Sequence, residues 1–271
     1  MTIRNPQSEM SFLDHLEALR WHVVRSAVVI VCVAIAAFLN KDLIFDGIIL
    51  APKNTDFLTY RVLCDLSQRY GLDMCMDKVD FNVVNLSISG QFTTHMWIAL
   101  MTGFVVGFPY LVWEIWRFVR PALSEREIRY SRGIVFFTSL LFLSGVAFGY
   151  FIITPLSINF LGNYKVSEEI ANSISMDSYI NTVTVLSMST GLVFELPMVV
   201  YFLSKLGLIT PAFMRTYRRH AMVVNLIIAA LITPSPDVTS QLLVAVPLFM
   251  LYELSIYVSA AVLRNRERSL T

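Results

Sequence analysis

Two acidic side chains stand in an otherwise basic stretch of the chain. The segment PALSEREIRYSR, residues 121–132, places Glu125 and Glu127 among three arginines. Neighbouring positive charges favour the ionised form of a carboxyl group, which can then accept charge-assisted, often bidentate, hydrogen bonds from a guanidinium group. Two interpretations follow. The acids either neutralise a basic loop or form a site for a cationic ligand.

Two further carboxyl groups lie inside apolar segments. Glu195 is part of GLVFELPM, and Glu253 is part of LFMLYELSI. An ionisable side chain in hydrocarbon costs at least ~2.5–3.5 kcal/mol on insertion scales and is seldom retained without a role. Pro197 disfavours helical geometry just before it, next to Glu195. We expect a functional role for Glu195, whereas for Glu253 a hydrogen-bonded structural carboxyl group is an equal alternative.

These groups are positioned by apolar segments of membrane-spanning length. Of the 271 residues, 56% are hydrophobic and only 15% are charged. A water-soluble surface carries roughly a quarter to a third charged residues, so the composition indicates a membrane protein. A helix of ~20 apolar residues crosses a ~30 Å hydrocarbon core. We predict an all-α integral membrane protein, a single domain over residues 1–271 with six spans: 21–40, 91–118, 133–160, 179–205, 220–233 and 239–262.

The predicted spans are irregular. The fifth offers only the residues from His220 to Ile232 before the turn TPSPD. At ~1.5 Å per residue this helix measures ~20 Å, which a thinner bilayer or burial inside the bundle would accommodate. Four prolines are expected to kink or end helices where they fall, namely Pro109, Pro155, Pro197 and Pro247.

Lysine and arginine are distributed unequally between the two sides of this arrangement. One side receives fifteen of the 21 and the other receives six. Because positive charge favours the cytoplasmic side, we expect both termini in the cytoplasm. Residues 53–88 and 161–177 are then external, and 53–88 forms a cap that contains a helix over Leu58–Tyr70. The net charge of +1 argues against a nucleic-acid partner.

The three cysteines give a weaker indication of compartment. Cys32 falls in an apolar run and is expected to pack without reacting. Cys64 and Cys75 lie in the external segment, where an oxidising environment allows a disulfide, and the residues leave open whether it forms. Their spacing matches no common zinc site. We expect neither a metal nor a cofactor.

The amino-terminal stretch SFLDHLEALRWHVVRS predicts an interfacial helix that continues into the first span. Ser11 and Asp14 match a capping box, and apolar residues recur on one face. On this pattern alone, Asp14 and Glu17 are ordinary acids of a first turn, where the helix dipole favours them.

Four motifs together resemble one family. FLDHLEALR at the amino terminus, FVRPALSEREIR after the second span, FELP in the fourth, and LITPSPDVTSQLLVAVPLFMLYE across the fifth and sixth are similar to TatC, the multispanning subunit of twin-arginine protein translocases. The resemblance covers essentially the whole chain. It implies a receptor for signal peptides with consecutive arginines, not an enzyme. It further implies self-association, and single-span partners of the TatA and TatB type.

The resemblance also implies an energy source. In this family folded cargo crosses the cytoplasmic membrane driven by the proton-motive force and not by ATP hydrolysis. The sequence agrees, because it contains no GxxxxGK[ST] phosphate loop.

The resemblance assigns signal-peptide binding to the first cytoplasmic loop and its surroundings. Glu127 aligns with the family's signal-binding glutamate, Phe118 aligns with an aromatic residue of that site, and Pro121 lies in the same stretch. The family usually has a second acid immediately before LR, where this chain has Ala18. Glu17 keeps the first acid of that pair, and its part in binding is open because one residue is ~100° around a helix.

Other matching residues are linked in the family to transport or assembly. They are Pro52, Glu195, Asp237 and Gln241, and Glu253 is grouped with them as an intramembrane acid. The turn TPSPD has one residue more than the shorter TPPD form.

Two other classes of function were weighed against this resemblance. In a proton-coupled secondary transporter of a small solute, Glu195 and Glu253 would be relay groups, but the paired repeats typical of such folds are not apparent. An intramembrane hydrolase is disfavoured because the candidate serines have no intramembrane His partner and HExxH is absent.

Overall fold

The structure is a computed structural model. It describes residues 12–54, 56–71, 82–120, 133–165, 167, 172–233 and 238–268, and the backbone alone for residues 12–16, 239 and 265–268. Several residues singled out above lie outside the described residues: Ser11, Cys75, Pro121, Glu125, Glu127 and Asp237. The same holds for the side chain of Asp14.

The helices follow the predicted apolar segments closely. In lipid every backbone polar group must be satisfied within the chain, so long apolar segments become helices. The described elements are, in chain order, α1 Phe12–Leu39, α2 Lys41–Ile44, a π-helical turn Phe45–Ile49, a 3₁₀ turn Ala51–Lys53, α3 Leu58–Tyr70, β1 Asn82–Val84, α4 Gly90–Val119, α5 Ile134–Phe148, a π-helical turn Gly149–Ile153, α6 Thr154–Asn163, β2 Ser173–Ser175, α7 Met176–Val193, α8 Leu196–Lys205, α9 Pro211–Thr216, α10 Arg218–Ile232 and α11 Val238–Arg268.

Five helical stretches among the described residues are long and apolar enough to cross a membrane: Glu17–Leu39, Gly90–Val119, Ile134–Asn163, Met176–Lys205 and Ser240–Arg264. They correspond to five of the six predicted spans. The fifth predicted span corresponds to α10, which has 15 residues. At ~1.5 Å per residue it measures ~22 Å, so it is short, as its sequence indicated. The count of six spans stays a prediction.

The prolines mark irregular points in the long helices. Pro197 lies in the first turn of α8, just after the break that follows α7. Pro155 lies in the first turn of α6, directly after a π-helical turn. A first turn tolerates proline because its amide hydrogen would have no partner there. Pro109 and Pro247 lie inside α4 and α11 and do not end them.

The described residues divide into two compact units. The first consists of the described parts of residues 1–39 and 96–139, and the second of those of residues 40–95 and 140–271. The single domain expected from the sequence stays a prediction.

In the first unit, two glycines bring α1 and α4 into close contact. Gly103 and Gly107 are four residues apart, so they share one face of α4. A Cβ atom at Gly103 would lie 2.6 Å from the backbone oxygen of Ile30, and one at Gly107 would lie 3.0 Å from the Cγ1 atom of Ile30. This GxxxG spacing lets helix backbones approach closely in membranes. A larger residue at position 103 therefore requires the two helices to move apart.

A second pair of glycines with the same spacing packs α5 against α7 in the second unit. A Cβ atom at Gly145 would lie 2.7 Å from the Cβ atom of Phe194, and one at Gly149 would lie 2.8 Å from the Cα atom of Ser187. Beside this contact lies the main apolar core of the second unit, formed by Ile153, Leu186, Ala229, Ile232, Val244, Ala245 and Leu248. The core joins α7, α10 and α11 around the second π-helical turn.

The helix predicted over Leu58–Tyr70, here called the cap helix, is confirmed with the same bounds, and its external position stays a prediction. Its Tyr60 hydroxyl donates to the backbone oxygens of Pro52 at 3.1 Å and Pro155 at 3.0 Å. Burial raises the pKa of the Tyr60 hydroxyl to about 12, so the hydroxyl remains a donor at neutral pH. The cap helix is thus tied to two irregular points of the neighbouring helices, and the buried Pro52 supplies one of the acceptors.

A small parallel sheet joins two segments that the charge distribution places on the same side. β1 pairs with β2 in the register Asn82–Ser173, Val83–Ile174 and Val84–Ser175. The all-α prediction did not include these strands, because three residues carry too little alternation to predict a strand. The all-α architecture of the membrane-spanning part is unaffected.

The cysteines differ in state. Cys64 of α3 is disulfide-bonded. Cys75 lies outside the described residues, so the pairing of Cys64 with Cys75 stays a prediction. Cys32 is free and exposed. The expectation that it packs against the rest of the chain is therefore wrong for the described residues, and its lack of reactivity stays a prediction.

Candidate functional site

A buried carboxylate lies near the end of α4, in the first unit. Glu114 is 1% exposed. Its Oε2 atom accepts a hydrogen bond from Nδ1 of His22, and its Oε1 atom accepts one from the Tyr110 hydroxyl at 2.9 Å. The guanidinium group of Arg117 lies 3.5 Å from Oε1. Both oxygens therefore face donors, which a buried charge requires.

Helical spacing brings three of these residues together. Tyr110, Glu114 and Arg117 are four and then three residues apart, so they share one face of α4. His22 is supplied by α1, which the glycine contact holds against α4. Glu114 was not among the predicted site residues, although it lies inside the predicted span 91–118. The polar periodicity of 110, 114 and 117 is the signal in the sequence that could have revealed it.

Phe118, the predicted aromatic residue of the binding site, lies beside this cluster. Its ring packs edge-on against the imidazole of His22, with 6.0 Å between the ring centroids. The next residue, Val119, ends α4. Phe118 is thus held at the end of a helix, directly before the loop that carries Pro121 and Glu127 in the sequence.

Glu17, the amino-terminal acid, belongs to the same unit. Its side chain is exposed on α1, whereas that of Ala18 is partly buried. Glu17 precedes His22 by five residues, which is ~7.5 Å along a helix. Of the four predicted binding residues, the structure describes the side chains of Glu17, on α1, and Phe118, on α4.

Glu195 lies at the break between α7 and α8, in the second unit. It is the residue before α8, and its side chain is partly buried. The Oε1 atom is buried and has no hydrogen-bond partner among the described residues. The backbone of Phe142 interacts with the carboxyl group. A carboxyl oxygen without a partner inside a predicted span can accept a hydrogen bond from a group outside the chain.

A small apolar cavity adjoins this break. Phe194, Val193 and Thr190 line it from the α7 side, and Ile232 and Pro247 line it from α10 and α11. Ile153, Val244 and Leu248 of the core described above also line the cavity, so the cavity lies at the edge of that core, beside the break.

Glu253 has a charged partner among the described residues, although its Oε1 atom, like that of Glu195, is buried without a hydrogen-bond partner there. Its Oε2 atom lies 2.5 Å from a guanidinium nitrogen of Arg218. This ion pair joins α11 to the first residue of α10. The pairing favours the structural alternative for Glu253.

Gln241 is also engaged in a contact between helices. Its side-chain amide donates to the backbone oxygen of Leu226 at 3.1 Å, and it thereby links α11 to α10.

In the part of the chain that the structure describes, no group of three or more His, Cys, Asp or Glu residues could hold a metal ion.

The helices and the acids that they bury define a class, a multi-pass α-helical membrane protein. A family model described as "Sec-independent protein translocase protein (TatC)" matches residues 14–247. The chain belongs to the TatC family of protein translocase subunits. The family predicted from the four motifs is thereby confirmed.

Individual relatives agree with the family match. The chain is 37% identical to the TatC protein of Blattabacterium sp. subsp. Periplaneta americana over 267 residues, which cover 97% of this chain and 100% of that protein. It is 32% identical to TatC of Carboxydothermus hydrogenoformans over 250 residues, which cover 92% and 93% of the two chains.

Solved structures show the same fold. A crystal structure described as the twin arginine translocase receptor TatC superposes with a TM-score of 0.66 at 29% identity, covering 92% of this chain and 99% of that one. A second crystal structure, described as the same receptor in DDM, superposes with a TM-score of 0.69 at 31% identity, covering 90% of this chain and 98% of that one. The chain is therefore a protein-transport subunit and not an enzyme. A proton-coupled transporter of a small solute finds no support in these comparisons.

Proposed function

We propose that this chain is the receptor for twin-arginine signal peptides in a translocase that exports folded proteins across the cytoplasmic membrane, driven by the proton-motive force. The observation that supports the proposal most is the likeness, over 92% of this chain, to a crystal structure described as the twin arginine translocase receptor. TatA-type and TatB-type single-span proteins are the proposed partners, together with further copies of this chain.

The chemistry of the first unit suits such a ligand. A pair of guanidinium groups needs carboxylates that accept bidentate hydrogen bonds, and we assign that role to Glu127, assisted by Glu17. Exposed ion pairs are worth only ~0–1 kcal/mol, so a carboxylate needs shielding from water to select its ligand. Phe118, held at the end of α4 by its contact with His22, is the proposed source of that shielding.

Binding of a signal peptide tests this proposal directly. We expect a labelled peptide with two consecutive arginines to bind the purified full-length protein in nanodiscs. A matched peptide with two lysines keeps the charge but loses the planar guanidinium groups that form bidentate hydrogen bonds. It should bind at least about fivefold more weakly, which corresponds to a loss of roughly 1 kcal/mol in binding free energy. Equal affinities for the two peptides would contradict a receptor that recognises arginine.

We also propose that both termini and the first loop are cytoplasmic. The unequal distribution of Lys and Arg supports this orientation. The β1–β2 pairing is consistent with it, because it joins the two segments assigned to the external side, 53–88 and 161–177. At the other end, the Tyr252 hydroxyl donates to the backbone oxygen of Met214 at 2.8 Å, which brings the segment 206–219 to the latter half of α11.

Labelling of single cysteines tests the orientation. In a Cys32→Ser background that keeps the disulfide of Cys64, an impermeant thiol reagent applied to intact cells should label Asn82→Cys and spare Ser124→Cys. Both should react after the cells are opened, which controls for accessibility. The reverse pattern in intact cells would overturn the orientation, and with it the assignment of the binding site to the first loop.

A further inference from the structure

We infer that Glu114 and His22 are positioning residues for Phe118, and that they act on signal-peptide binding through the orientation of its ring. This inference rests on the function proposed above. It assigns a role to a buried carboxylate that neither the motifs nor the proposed binding residues include.

Glu114 is placed to hold other side chains rather than to contact a ligand. Its side chain is 1% exposed. Both carboxylate oxygens already face donors from this chain, namely His22, Tyr110 and Arg117. A peptide guanidinium could reach Glu114 only by displacing these donors. Glu114 is thus unsuited to bind a guanidinium group of the peptide, which is the role proposed for Glu127.

The contact with Glu114 fixes the imidazole of His22. An ionised carboxylate can only accept hydrogen bonds, so Nδ1 of His22 is the donor. That bond sets the rotation of the ring, and the ring meets Phe118 edge-on at a centroid distance of 6.0 Å. Phe118 is followed by the last residue of α4.

The surroundings make the arrangement rigid. The GxxxG contact holds α1 against α4 eight residues and more beyond His22, with a would-be Cβ atom of Gly103 at 2.6 Å from Ile30. Arg117 adds a cation–π contact, with its guanidinium carbon 4.8 Å from the ring centroid of Trp113. A fixed aromatic ring loses less side-chain entropy than a mobile one when a peptide binds beside it, so fixing the ring strengthens binding.

A double-mutant cycle between Glu114 and Phe118 tests the inference. Glu114→Met keeps the volume and removes the acceptor for His22. In otherwise wild-type protein it should weaken binding of the twin-arginine peptide about fivefold. This effect is within the range of coupling energies between residues of one hydrogen-bond network. In a Phe118→Ala background the same change should cost less than about twofold, because the ring that it positions is gone. Glu114→Gln keeps an acceptor oxygen and should restore most of the affinity.

A matched control separates positioning from loss of stability. Thr94→Val removes another buried hydrogen bond made by α4, the one of 2.6 Å to Asp177. It should lower thermal stability without changing peptide affinity. If Glu114→Met and Phe118→Ala are additive, or if Glu114→Gln is as harmful as Glu114→Met, the inference is wrong.

A spectroscopic measurement reports on Phe118 without any peptide. With 4-fluorophenylalanine at position 118, the fluorine resonance should shift or broaden in Glu114→Met and His22→Gln and stay unchanged in Thr94→Val. An unchanged resonance in the first two variants would overturn the inference even if the receptor function holds. A shifted resonance in a protein that binds both peptides equally would instead leave the positioning intact and remove the receptor function.

Discussion

Glu127→Gln is expected to weaken binding of a twin-arginine signal peptide by about tenfold or more. Hydrogen bonds to charged groups in a partly shielded site contribute ~1.5–3 kcal/mol, which corresponds to roughly tenfold to more than a hundredfold in affinity. Glutamine keeps the size of the side chain but loses the charge and one acceptor for the guanidinium fork. Titration of a labelled peptide against the purified protein in nanodiscs measures the effect.

Glu125→Gln is the matched control for this prediction. It removes the same charge from the same loop, so any general electrostatic effect should be equal in the two variants. We expect Glu125→Gln to change affinity little. The affinity of the twin-lysine peptide should differ less between wild type and Glu127→Gln than that of the twin-arginine peptide, because lysine cannot form the bidentate contact. Equal affinities of wild type and Glu127→Gln for the twin-arginine peptide would remove the proposed site.

Helix positions were largely predictable because they depend on local signals. The bounds of α3, Leu58–Tyr70, follow from its apolar periodicity and from Gly71, which ends the helix with a φ of 64°. The long helices follow from uninterrupted apolar segments, and the break after α7 follows from Pro197. A single sequence contains all of this information within a few neighbouring residues.

Contacts between distant residues were not predictable in the same way. His22 and Glu114 are 92 positions apart, and nothing in either neighbourhood identifies the other as its partner. The pairing of β1 with β2 is equally non-local and involves only three residues on each side. Gly103 and Gly107 are an intermediate case between predictable local features and unpredictable long-range contacts. Their GxxxG spacing can be found in the sequence, but the helix that packs against it cannot.

The acids inside the spans show the same limit. The cost of an ionisable group in hydrocarbon marks both Glu195 and Glu253 as unusual, but it does not distinguish them. The structure does, since Glu253 lies 2.5 Å from Arg218, whereas Glu195 has no ion-pair partner among the described residues. Each of the two acids retains a buried Oε1 atom with no hydrogen-bond partner among those residues. The difference depends on which residue α10 brings to α11, which is again a long-range contact.

Glu195→Gln is therefore expected to separate binding from transport. Because Glu195 is not among the residues proposed for signal-peptide binding, the variant should bind a twin-arginine peptide within about twofold of wild type. Export of a folded reporter should fall by about tenfold, the factor that ~1–2 kcal/mol for an interhelical hydrogen bond in a membrane implies. We propose that the carboxyl group at the break before α8, whose Oε1 atom has no partner among the described residues, accepts a charge-assisted hydrogen bond from a partner helix. Glutamine keeps an acceptor oxygen but loses the charge, and a hydrogen bond to a neutral group is about half as strong.

Glu195→Leu sharpens this test, because leucine can make no hydrogen bond at all. Its export defect should be at least as large as that of Glu195→Gln, again with peptide binding retained. Export of the reporter in cells and peptide titration in nanodiscs give the two measurements, with the level of the membrane-inserted protein as the control. Normal export by both variants would assign Glu195 to packing alone. An equal loss of binding and export would instead place its role at signal-peptide recognition, because a group needed only for a later step leaves the first step unchanged.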